Sequence, residues 1–213
     1  MRFQSRGSRP RYPKQRNIPR ILFLAALPVV LLCALLGLPS LFSDDIGDIM
    51  AAHGLSELAP EEAYPQGALP EGLLFDKLLV EKSLHRLTAF SAGKPVRVYL
   101  VALGENPLGH KEVEGDKRTP EGVYSIDGKN PKSAYHRNLG ISYPNDADRA
   151  RAAALRKSPG GDIKIHGLAP EFAEVGAAHR LTDWTYGCIA VTNEEIEELF
   201  ARTRVGTPIE ITP

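Results

Sequence analysis

Two residues in this chain have the types to carry nucleophilic chemistry together. Cys188 closes Thr185-Tyr186-Gly187-Cys188, which reads as a tight loop, and Ile189-Ala190-Val191 behind it reads as the start of a buried strand. A thiol attacks as thiolate, so it needs a base or a cation beside it. The best partner is His166, at the end of the short apolar strand Asp162-Ile163-Lys164-Ile165-His166-Gly167, because an imidazole exchanges a proton near its working pH. The backbone N–H groups of Tyr186, Gly187 and Cys188 converge on one oxygen if the loop is tight, and Gly187 lets the backbone make that approach. Nucleophile, proton carrier and oxyanion donors are the parts that acyl transfer needs. The competing reading is an inert buried cysteine. A metal site is weaker, since one thiol stands with no second Cys and no His-x-x-x-His spacing. We expect no metal and no cofactor.

Around this pair, four residues are candidate substrate contacts. Arg118 suits a carboxylate, Asp183 suits an amine or a turn, and Trp184, the single tryptophan, suits a cleft wall or the core. Tyr143 is the fourth. The remaining five histidines read as surface or loop residues: His53 on the surface, His85 and His136 on strands, His110 and His179 in loops.

The elements that must position the pair are mostly strands. Residues 73–81 and 84–90 flank a turn at Glu81-Lys82-Ser83 and predict a hairpin. Residues 96–103 are β-branched and apolar, a central strand that Gly104 ends, with a loop over 105–120. Residues 122–126 and 135–143 are further strands, and 146–157 a helix rich in Ala and Arg. Thr192-Asn193-Glu194-Glu195 has capping-box spacing and starts a helix running to Thr203, and 207–212 is a closing strand. Many short strands, few helices and no repeats predict a mainly β fold, a largely antiparallel sandwich or open barrel with a few peripheral helices.

Charge divides the 213 residues unevenly. The net charge is zero, yet residues 1–20 carry seven basic residues and no acid, and residues 21–43 carry no charge. From residue 44 on, 19 basic residues face 26 acidic ones, a net of −7. Such a body lacks the clustered cations that phosphate binding needs, so nucleic acid is excluded as its partner. The apolar run 21–38 has the length of a membrane-spanning helix, about 20 residues, and the basic arm before it keeps the N-terminus cytoplasmic. The expected organisation is a basic cytoplasmic arm (1–20), a transmembrane anchor (21–43), a linker (44–72) and a catalytic domain (73–213) on the outer or periplasmic face of a bacterial cytoplasmic membrane. A cleaved signal peptide is the alternative, but no A-x-A-like site follows the run. Cys33 falls inside the run and Cys188 in the outer domain, so the two do not pair.

Four segments in order, Gly115-Asp116-Lys117-Arg118-Thr119-Pro120-Glu121-Gly122, Ile141-Ser142-Tyr143-Pro144-Asn145, Ile165-His166-Gly167 and Thr185-Tyr186-Gly187-Cys188-Ile189, resemble the L,D-transpeptidase catalytic domain family of bacterial cell-wall enzymes. The 18 residues between His166 and Thr185 are similar to that family's histidine-to-cysteine loop. The family often has His just before Gly-Cys and a polar or basic residue two after Cys, where this chain has Tyr186 and Ala190. The resemblance implies that the Gly167 carbonyl orients His166. It further implies that Cys188 attacks the third residue of a peptidoglycan stem peptide, expels the terminal D-alanine and forms a thioester. The acceptor is then an amine: another diaminopimelate, a wall-linked lipoprotein's lysine or a free D-amino acid. With water as acceptor the enzyme is instead a carboxypeptidase, or releases a wall-linked protein. A non-catalytic wall-binding module is the other class, and it has no use for a thiol beside a histidine.

Overall fold

The computed structural model describes residues 67–213. The expected arm and anchor, and residues 44–66 of the expected linker, lie outside the described residues. Among those described, no helix is long and apolar enough to cross a membrane.

Eight strands form one sheet in the order β3-β2-β1-β8-β4-β5-β6-β7. They are β1 (Lys77–Glu81), β2 (Arg86–Ser91), β3 (Lys94–Leu100), β4 (Gly122–Ser133), β5 (His136–Ile141), β6 (Lys164–His166), β7 (Ile189–Ala190) and β8 (Pro208–Thr212). Two helices accompany them, α1 (Asp146–Ala154) and α2 (Asn193–Arg202). Pairing is antiparallel except for β1 with β8 and β6 with β7. The architecture is thus a curled, open-barrel-like sheet rather than two stacked sheets. The segment expected as a central strand is β3, and it stands at one end of the strand order. Its continuation curls round to the other end, where Ala102 and Ala190 exchange both backbone hydrogen bonds, at 3.0 and 2.8 Å.

Alternation explains what faces inward. On β1, Leu78 and Val80 are fully buried while their neighbours are only half-buried. Leu87, Leu139, Ile165, Ile189, Ile209 and Ile211 join them in one core. Each such side chain contributes about 1.5–3 kcal/mol on burial. The amphipathic helix α2 covers the sheet with Ile196 and Leu199. Thr192 caps it as its spacing predicts: the hydroxyl accepts from Glu195 N, and the Glu195 carboxylate accepts from Thr192 N. A second capping box, Asn145 with Asp148, starts α1.

The end of the expected linker already belongs to this body. Leu69 and Leu73 pack against the core, and Arg202 donates to the carbonyls of Pro70 and Leu73, both at 3.0 Å.

Candidate active site

The Cys188 loop hangs from the continuation of β3. Thr185 N donates to Leu103 O and Glu105 N donates to Thr185 O. Asp183 secures the loop's entry: its carboxylate accepts from Leu103 N at 2.7 Å and pairs with His85 Nε2 at 2.9 Å. Within the loop, the Thr185 hydroxyl accepts from Gly187 N at 3.1 Å and donates to Cys188 O at 2.7 Å. Gly187 has φ +122°, and a Cβ there would stand 2.5 Å from Arg118 O, so only glycine fits this approach.

β6 and β7 bring the two candidate catalytic side chains to one face. Their parallel register sets Ile165 beside Ile189 and His166 beside Ala190. Because Ile165 and Ile189 point into the core, the alternating positions Lys164, His166 and Cys188 point to the other side. His166 Nδ1 lies 2.7 Å from Gly167 O. That bond places the proton of the neutral imidazole on Nδ1 and leaves the Nε2 lone pair as the base. The Gly167 contact implied by the resemblance is therefore present.

Aromatic rings box the imidazole. Tyr135, reaching over from the β4–β5 turn, lies 4.7 Å from it between centroids, and Trp184 meets it edge-on at 5.7 Å. His179 stands edge-on to the far side of this cluster, 6.4 Å from Trp184. Burial pushes the His166 pKa below its ordinary 6.5; the Gly167 bond opposes this and the Lys164 charge adds to it. Burial likewise pushes the Cys188 thiol up, against the opposing pull of the Lys164 backbone N–H and ammonium. The thiol donates weakly to Asp162 O, 3.7 Å away. Both shifts favour the uncharged forms of the pair, thiol and neutral imidazole. For such a pair, attack by the thiol would require proton transfer to the imidazole.

Several expected contacts are placed elsewhere. Tyr143 is 5 % exposed, with its ring against Tyr124 and its hydroxyl donating to Pro159 O at 2.9 Å; it is a core residue out of reach of a peptide. Asp183 engages both carboxylate oxygens inside the fold, one with His85 and one with Leu103 N. Gly187 N–H is taken by the Thr185 hydroxyl, which leaves the Tyr186 and Cys188 N–H groups of the expected three as candidate oxyanion donors. Arg118 brings its backbone, not its guanidinium, to the Cys188 loop; the side chain turns toward His110 O at 3.4 Å and Glu112 at 3.6 Å. Trp184 stands beside His166 rather than in the main core cluster. Tyr186 is exposed, with the Lys117 ammonium 5.1 Å from its ring centre. His85 sits in a left-handed turn rather than on a strand surface, and His110 is tied to Asp148 and Glu121 N.

Sequence reasoning missed Lys164, Thr185 and Tyr135. Lys164 was within reach, since it alternates with His166 across the apolar Ile165. Tyr135 carries no local signal. Among the described residues, no three or more His, Cys, Asp and Glu side chains converge as metal ligands would.

Residues 76–211 match the family model described as the L,D-transpeptidase catalytic domain, YkuD. The chain is 31% identical over 104 residues to the putative L,D-transpeptidase YafK of Escherichia coli K12, a stretch covering 48% of this chain and 35% of that protein. Among solved structures, the helical cell shape determining protein Pgp2 of Campylobacter jejuni is similar with a TM-score of 0.47 and 26% identity, over 66% of this chain and 48% of that one. Bd1075 of Bdellovibrio bacteriovorus has a TM-score of 0.47 and 24% identity, over 67% and 49%. The match thus spans about a third of YafK and about half of each of these structures.

Proposed function

The chain belongs to the L,D-transpeptidase catalytic domain family, and from that premise we propose that it is a membrane-anchored cysteine L,D-transpeptidase acting on peptidoglycan stem peptides. The observation that carries this reading is the β6–β7 register, which sets Cys188 and His166 on one face with Nδ1 of His166 committed to Gly167 O.

The residues supply each step. Nε2 of His166 takes the thiol proton as Cys188 Sγ bonds to the carbonyl carbon of the third stem residue. The carbonyl π pair moves onto oxygen, where the Tyr186 and Cys188 N–H groups receive it. On collapse the C–N bond breaks, and His166 returns the proton to the departing amine of the terminal residue. The thioester then meets an acceptor amine, whose proton passes to Nε2 as the new amide forms. The same imidazole returns that proton to the leaving thiolate. Water in place of the amine gives hydrolysis, and the exposed Tyr186 stands where that choice is made. The basic arm and apolar run at the N-terminus support a cytoplasmic-membrane location, with the catalytic domain on the outer side and a wall-linked lipoprotein as one acceptor or substrate.

Mass spectrometry of stem tetrapeptides incubated with the purified full-length protein tests the reading. Cross-linked dimer or exchanged peptide is expected. Shortened monomer alone would make the enzyme a hydrolase. Intact peptide with no thioester on Cys188 would remove the catalytic reading.

A further inference from the structure

A third side chain shares the face that carries Cys188 and His166. Lys164 stands two residues before His166 on β6, about 7 Å along the strand, and the register that pairs Ile165 with Ile189 sets it beside Cys188. Its backbone N–H and its ammonium both favour the Cys188 thiolate, and the ammonium's charge also disfavours the protonated form of His166. The ammonium's partner within the fold is the carboxylate of Asp162, at 2.5 Å. That carboxylate is 82 % exposed, and exposed pairs of this kind hold weakly. The ammonium is therefore a cation at the nucleophile that an incoming anion can claim.

We propose that Lys164 binds the α-carboxylate of the residue that leaves and is the side chain by which this chain senses a free carboxyl one residue beyond the scissile bond. The inference rests on the function proposed above and names the charge that the donor must present. The leaving amine receives its proton from His166, so the leaving residue has to lie over β6. Its carboxylate is one Cα from that amine, within the about 3.6 Å that a residue spans. The next side chain on that strand face is Lys164, whose long stem closes the remaining gap. A peptide continuing past the leaving residue has an amide at this point and gives the ammonium no charge to pair with.

The test uses the full-length protein and three synthetic tetrapeptides: the free acid, the same peptide with a C-terminal carboxamide, and one with a carboxamide on the side chain of the third residue. Release of the terminal residue gives kcat/KM for each. The wild type is expected to favour the free acid over the C-terminal carboxamide by about tenfold or more, the scale of a charge-assisted bond, and to tolerate the side-chain carboxamide. Lys164→Gln should bring the ratio of free acid to C-terminal carboxamide close to one, and Lys164→Arg should restore most of it. Equal wild-type rates on the two C-terminal forms would overturn the proposal without any variant. So would a Lys164→Gln loss of equal size on both, which would confine Lys164 to the thiol. Sensitivity to the third-residue carboxamide alone would assign the ammonium to another carboxylate and overturn it as well. A wild type that cleaves none of the three, with no adduct on Cys188, overturns the proposed function itself.

Discussion

The Thr185 hydroxyl donates to the carbonyl oxygen of Cys188 at 2.7 Å, and its own oxygen accepts from Gly187 N at 3.1 Å. One buried side chain thereby sets the curvature of the loop that aims the nucleophile and its neighbouring N–H groups. Thr185→Val keeps the shape and loses both bonds. Turnover of stem peptide should fall by about ten- to a hundredfold, toward the scale of losing an oxyanion donor, while Thr185→Ser retains most of it. An unchanged kcat in Thr185→Val would show that the clamp does not govern the loop.

Cys188→Ala and His166→Ala should each abolish turnover and leave circular dichroism and the melting transition close to those of the wild type. A carbapenem should add its mass to the wild type and not to Cys188→Ala, because a strained amide carbonyl suits a site that forms thioesters. An adduct of the same mass on Cys188→Ala would place the reactive group elsewhere.

Activity should persist on the acid side of the ordinary imidazole range. Burial holds the His166 pKa below 6.5, so the base stays unprotonated as pH falls through 6.5, and kcat/KM should decline only at lower pH. Trp184→Ala opens one wall of the box, lessens that burial and should move the acid limb upward toward 6.5. Alkylation of Cys188 should in turn need higher pH than a free cysteine measured alongside, since burial raises the thiol. An acid limb that Trp184→Ala leaves in place would separate the ring from the ionisation of His166.

The His85–Asp183 pair predicts stability of the opposite pH sense. The hydrogen bond to Asp183 raises the His85 pKa above 6.5, with burial opposing and the Asp183 charge adding. A pKa raised on folding contributes stability that is fully present below the unfolded value and is lost as pH rises through the folded one. The melting temperature lost in His85→Ala should therefore be larger at pH 5.5 than at pH 8.5. A loss independent of pH would mean that the imidazolium charge adds nothing to the contact.

What could be read from the chain in advance was local. The Thr192–Glu195 cap, the hairpin around Glu81-Lys82-Ser83 and the strand entered after Cys188 each rest on neighbours in sequence, and all three are present. Tyr143 looked like a substrate contact because its segment stands in line with the others of the family pattern, yet position in a motif says nothing of burial. Asp183 looked free for a ligand until His85, distant in sequence, supplied the partner. The 105–120 stretch reads correctly as a loop, but Lys82, only 3 % exposed, holds it by bonds to Gly109 O and Thr119 O. A lysine so buried runs against the usual preference of that residue type. Residues 170–181 carry two short 3-10 segments broken at Gly176, which no periodicity marks.

The seam where Ala102 meets Ala190 bears on when the thiol becomes competent for acyl transfer. β6 has three residues and β7 two, too few to persist alone in water. They are held by a closure between segments far apart in sequence, whose entropy must be met before any contact rewards it. Cys188 and His166 consequently come together only once that long-range closure has formed. A nascent or unfolded chain carries a thiol open to alkylation like any loose cysteine, but with neither the base nor the oxyanion donors that acyl transfer needs. Acyl transfer switches on with the finished sheet, so the rate at which Cys188 is acylated doubles as a clock for folding.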